Sequence, residues 1–115
     1  MTIDAIRRGA LEYIENEIQP HLSPAQSGLV GAYALLVARN LPSMVEKYKD
    51  HPLVALTGVV APNGDIDVDS LAEVVRAKYF PTSGSSYTLN IPMLPSIKVG
   101  ENDLTKLLQY IKAQA

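Results

Sequence analysis

Eleven consecutive residues, Gly28-Leu29-Val30-Gly31-Ala32-Tyr33-Ala34-Leu35-Leu36-Val37-Ala38, carry no charge, and the run ends only at Arg39. A helix over this segment has apolar or small residues on every face, so it requires close neighbours on nearly all sides. The run is well short of the ~20 residues that span a bilayer, which reads as a buried helix and not an anchor. Gly28, Gly31, Ala32, Ala34 and Ala38 leave little side-chain bulk and permit close helix approach, while the leucines and valines supply area. A domain of 115 residues has difficulty enclosing one helix completely. Either the rest of the chain surrounds it, or a second copy supplies the missing wall. The small-residue surface favours a homo-oligomer, or contact with another protein, with Gly28, Gly31, Ala32, Leu35 and Leu36 as interface residues.

The wider composition sets the frame for that helix. Hydrophobic residues make up 47% of the chain and charged residues 19%, which describes one folded domain over residues 1–115 and excludes disordered or collagen-like classes. Such a chain buries enough surface to fold without disulfides or metal. With no cysteine, disulfide frameworks, thiolate metal sites and thiol chemistry are all excluded. A net charge of -2 and a pI near 5.6 argue against phosphate-driven nucleic-acid binding. The N-terminus, Met1-Thr2-Ile3-Asp4-Ala5-Ile6-Arg7-Arg8, places an early acid among periodic apolar residues where a secretory signal has a cationic start and an unbroken apolar stretch. A cytoplasmic protein with no membrane contact is expected.

The pattern along the chain predicts an α+β fold, mainly helical over 1–50 and ββα-ββα over 51–115. Ile3, Ile6, Ala10, Tyr13, Ile14 and Ile18 recur at helical spacing until Pro20. Ser23-Pro24 supplies an N-cap and a first-turn proline, which predicts a second helix to about Arg39. Pro42 then opens a short third helix over Ser43 to Lys49, and His51-Pro52 begins an apolar turn closed by Gly58. From Val59 the period changes. Val59-Val60, Pro62-Asn63-Gly64-Asp65 and Ile66-Asp67-Val68 form a hairpin signal, Asp69 is a candidate N-cap, and Leu71, Val74 and Val75 mark a helix that Pro81 ends. Tyr87, Leu89, Ile91 and Met93 alternate with polar residues and Pro92, as in a half-buried strand that lies at an edge or bends at the proline. Ser96-Ile97-Lys98-Val99 follows, and Gly100-Glu101-Asn102-Asp103 opens a last helix with Leu104, Leu107, Leu108 and Ile111 on one stripe. The two ββα units are expected to combine as a small antiparallel sheet packed on helices.

Candidate chemistry is sparse. Asp65-Ile66-Asp67-Val68-Asp69 begins like a calcium loop, but Ser70 stands where the sharp turn needs glycine and Arg76 where a bidentate glutamate belongs. His21 and His51 have no acid or cysteine at ligand spacing. Serine appears beside glycine in Ser83-Gly84-Ser85-Ser86 without a nucleophile elbow, and no glycine pattern cradles phosphate. No catalytic, cofactor or metal residue is assigned. A small enzyme or ligand-binding protein remains the alternative, its site assembled only in the fold, with His51, Asp67 and Ser85 as members.

One resemblance spans most of the chain. It is carried by Glu12-Tyr13-Ile14-Glu15-Asn16-Glu17-Ile18-x-Pro20, by His51-Pro52-Leu53-Val54-x-Leu56-x-Gly58-Val59-Val60 through Gly64-Asp65-Ile66-Asp67, by Leu89-x-Ile91-Pro92, and by Asp103-Leu104-x-Lys106-Leu107-x-x-Tyr110-Ile111. The order resembles small prophage-type proteins of Gram-positive bacteria. The resemblance implies a non-enzymatic accessory or structural role in a phage-derived gene cluster and carries over no catalytic residue.

Overall fold

The computed structural model describes residues 1–48, 51, 59–61, 63–82 and 84–114. Helix α1 runs Ile3–Tyr13, and the Thr2 hydroxyl accepts from the Ala5 N–H at 3.3 Å to cap it. Ala5, Ile6 and Gly9 are its buried residues; of the stripe read from the sequence Ile6 alone is buried, and Ile3, Ala10 and Tyr13 are half-buried. The chain stays helical to the expected stop, but as a π-helical turn over Ile14–Ile18 and a 3-10 turn over Gln19–His21. The Gln19 N–H reaches back to the Ile14 carbonyl, so one extra residue sits in that turn and the side chains after it are rotated from where an α-helix would place them.

Helix α2 spans Pro24–Tyr48 without interruption. Ser23 caps it in a reciprocal box: its hydroxyl accepts from the Gln26 N–H and its own N–H donates to the Gln26 side chain, both at 3.3 Å. The expected break before Ser43 is absent. Pro42 lies inside the helix and removes only its own N–H from the ladder, while Val45, one turn further on, packs against the main core and holds the continuation in place. Two further expectations need correction. By length and composition, Pro24–Lys47 is long enough and apolar enough to cross a membrane, because helix continuation adds residues beyond the Gly28–Ala38 run. Nor is the helix buried, since among its described side chains only those of Val30 and Ala38 are buried.

The turn expected after His51 lies outside the described residues. The first hairpin is reduced to one antiparallel bridge, Val60↔Ile66, closed by a turn in which Gly64 takes a φ of 89°. Ile66 pairs on its other side with the chain's first residue, exchanging hydrogen bonds with Met1 at 2.8 and 2.9 Å. The ladder ends because Asp67 is already a helix cap. Its carboxylate accepts from the N–H groups of Asp69 and Ser70 at 3.1 and 3.2 Å, so the cap of helix α3, Val68–Tyr79, is Asp67 and not Asp69.

The second ββα unit is complete. Strands β1, Ser86–Leu89, and β2, Ile97–Gly100, pair antiparallel with Tyr87 opposite Val99 and Leu89 opposite Ile97. Helix α4, Glu101–Lys112, follows directly, and the Gly100 N–H donates to the Asp103 carboxylate at 2.7 Å. The strand expected to reach Met93 stops at Leu89. Ile91 to Leu94 is a tight turn with a 3.1 Å hydrogen bond between its ends, Pro92 in its second position and Met93 at a φ of 70° in its third, the backbone of a type II turn. Met93 is 86% exposed.

The layout is therefore α+β, with a two-stranded antiparallel sheet. Its core forms where α1 crosses α4 beside the Ile66 bridge: Ile6, Val59, Ile66, Val68 and Ile111 cluster there, with Leu107 and Leu108 packed against them. No described polar side chain is buried.

Candidate functional site

The unusual features both belong to α2, which presents apolar residues to two different spaces. On its outer side Gly28 and Ala32 are exposed, and Leu35 and Leu36 are 60% and 55% exposed. A β-carbon added at Gly28 would meet nothing within 4 Å. These four residues, nominated from the sequence as an interface, lie together on one face by helical spacing. Gly31 is placed differently: it is half-buried, and an added β-carbon would come within 2.8 Å of the Gln19 side-chain amide, which donates to the Ser27 carbonyl. Gly31 seats the 3-10 turn against α2.

On its inner side α2 forms one wall of a cavity of about 870 Å³. Val30, Ala34, Val37, Ala38 and Leu41 line that wall; Leu11, Ile14 and Ile18 come from α1 and the π-turn. The far side is built by Val75, Tyr79 and Phe80 at the end of α3, by Tyr87, Leu89, Ile97 and Val99 of the hairpin, and by Leu104 and Leu107 of α4. Alternation along β1 and β2 puts Tyr87, Leu89, Ile97 and Val99 on one face, and Tyr79 meets Tyr87 edge-to-face with ring centroids 4.9 Å apart. The lining is therefore overwhelmingly apolar, drawn from every regular element among the described residues.

A polar cluster closes the α1–α4 side of this space. Because the π-turn rotates the chain, Glu17 reaches α4, where its carboxylate accepts from Lys106 at 3.1 Å and from the Tyr110 hydroxyl at 3.0 Å. Those two hydrogen bonds, Lys106 first, hold the Glu17 carboxyl below its ordinary range. In return Glu17 raises the Lys106 ammonium and the Tyr110 phenol. Tyr13 stacks edge-to-face on Tyr110 at 5.9 Å, and burial pushes its phenol up.

The residues nominated for chemistry are engaged locally. Asp67 caps α3, Asp69 pairs with Lys112 at 2.7 Å, and the Ser85 hydroxyl donates to the Thr82 carbonyl at 2.6 Å. His21 borders the apolar cavity at an exposed position, and His51 is exposed. Among the described residues, no group of three or more histidines, aspartates and glutamates is arranged to hold a metal. The cavity itself escaped sequence reasoning. The signals pointing to it were Tyr33, Tyr79 and Tyr87, each on an otherwise apolar pattern, but nothing in one sequence shows that they converge. No family model, curated protein or solved structure matches this chain.

Proposed function

We propose that this protein works through protein–protein contact rather than catalysis, and that it self-associates through the outer face of α2. The observation that carries this reading is the exposed Gly28-Ala32-Leu35-Leu36 face. A helix with small residues at i and i+4 beside leucines allows two backbones to approach closely and bury the leucines between them.

A second copy suits this face better than a bilayer. Val30 and Ala38 of the same helix are buried at 8% and 6% exposure, and Val45 packs on the main core, so a spanning helix would have to tear away from the fold. Arg39 also follows Leu35 at helical spacing on the exposed side. A non-enzymatic accessory role in the cytoplasm, in keeping with the resemblance to prophage-type proteins, follows from the same reading.

Size-exclusion chromatography with light scattering tests it. The wild-type chain is expected at a multiple of 12.5 kDa, and a Leu35→Glu/Leu36→Glu variant at the monomer mass with its helical spectrum retained. A wild-type chain that stays at the monomer mass over a tenfold concentration range refutes self-association, and co-sedimentation of that monomer with phospholipid vesicles assigns the face to membrane instead.

A further inference from the structure

We infer that the cavity between α2 and the β1–β2 hairpin is a binding site for an uncharged, hydrocarbon-rich small molecule. Its volume of about 870 Å³ falls in the upper part of the range of small-molecule sites, roughly 300–1,000 Å³. The space is a half-open cleft: Val30, Ala38, Phe80 and Leu104 are buried in its lining while Val37, Tyr79, Tyr87 and Leu89 are exposed. Its concavity, unlike the convex outer face of α2, suits a small occupant.

The chemistry of the walls identifies the class. The ionisable groups bordering the space, tyrosines aside, are already engaged or lie at its exposed margin: Arg7 pairs with Asp4, Glu17 with Lys106 and Tyr110, Asp103 holds the Gly100 N–H, and His21 and Lys98 are exposed. No buried charge is available to neutralise an ionised group carried inside, and an uncompensated charge there is strongly unfavourable. A peptide is disfavoured for a related reason, because its amide groups require partners that an apolar lining does not provide. Water filling the space gains few hydrogen bonds from these walls, and its release to bulk on binding favours an apolar occupant. A hydrocarbon needs none and gains dispersion contacts with Val37, Leu41, Phe80, Leu89 and Leu104 on opposing walls. The Tyr79–Tyr87 pair adds a rigid aromatic surface. Ala34 and Ala38, small residues on the α2 wall, leave the room that larger side chains would fill.

The test uses the full chain and the uncharged fluorophore N-phenylnaphthylamine, with dodecanol as competitor. Saturable binding of one probe per chain, displaced by dodecanol, is expected. Ala34→Trp places an indole in the cavity and is expected to weaken probe binding about tenfold or more while keeping the cooperative unfolding transition. Should that variant not fold, the wild-type chain still decides the matter, because bound dodecanol must raise its unfolding temperature. Displacement by lauroyl-lysophosphatidylcholine as well as dodecanol assigns a lipid-borne chain, and displacement by dodecanol alone assigns a free one. Non-saturable binding, equal affinity in a folded Ala34→Trp variant, or no thermal shift with dodecanol overturns the inference. Mass measured on the same samples keeps this result separate from self-association, since Leu35 and Leu36 are not among the cavity-lining residues.

Discussion

Gly9 lies where α1 crosses α4, and the change of one hydrogen to a methyl group there tests the central packing of the fold. A β-carbon at this position would stand 2.4 Å from the Ile111 α-carbon, 2.7 Å from its nitrogen and 2.9 Å from the Tyr110 carbonyl oxygen. All three neighbours are backbone, so no rotamer change relieves the contact. The helices must move apart by about 1 Å to restore van der Waals distance, and a gap of that size forfeits a quarter to a half of the dispersion attraction between facing atoms. Ile6 and Ile111, 8% and 5% exposed, lose contacts in that movement. Alanine in a helix gains about 1 kcal/mol over glycine, whereas overpacking costs about 1–3 kcal/mol and more where nothing can yield. The balance for Gly9→Ala is a net loss of about 2 kcal/mol, a large share of the roughly 5–15 kcal/mol that holds such a domain folded. Urea unfolding followed by far-ultraviolet circular dichroism measures it, with Gly28→Ala as the control, since Gly28 has nothing within 4 Å and should show only the gain in helix propensity. If Gly9→Ala proves as stable as Gly28→Ala, the α1–α4 crossing described above is wrong.

Glu17 predicts a pH dependence. Its hydrogen bonds to Lys106 and Tyr110 depress its folded-state pKa, so its contribution to stability is complete above the unfolded carboxyl range and lost as pH falls through the lower folded value. Wild type should therefore be more stable than Glu17→Gln at pH 7 and hold a smaller advantage at pH 3 in urea titrations; an equal gap at both pH values refutes the role. Met93 holds a φ of 70° in an exposed turn, a conformation that costs a side-chain-bearing residue about 1–2 kcal/mol. After allowing for glycine's greater freedom in the unfolded chain, Met93→Gly should stabilise by about 0.5–1 kcal/mol in thermal unfolding, and a lower transition temperature would count against the turn.

Several elements were legible because they depend on neighbours in the chain. Ser23-Pro24 marks the start of α2, Asn63-Gly64 marks a turn, and the stripe of Leu104, Leu107, Leu108 and Ile111 marks α4. Local rules failed where two of them competed. Asp67 and Asp69 both suit a helix cap, and the earlier one prevails, which shortens the hairpin to a bridge. Pro42 opens a helix in many contexts, yet here it lies within one whose C-terminal turns pack through Val45.

From the sequence alone, α2 had to be a helix with no polar side across its central turns, because the residues from Gly28 to Ala38 contain nothing that prefers water. Which parts of it would find neighbours was a tertiary matter. Periodicity specifies a face but not the distance to whatever stands opposite, and that distance depends on how α1, the π-turn and the hairpin are placed. The π-turn rotates Glu17 onto α4 and leaves Ile14 and Ile18 facing the cavity, while the hairpin stands back from α2 by the width of that space. The apolar character of the helix was thus local information. Its division into an outer face and a cavity wall arose only when the distant segments packed around it.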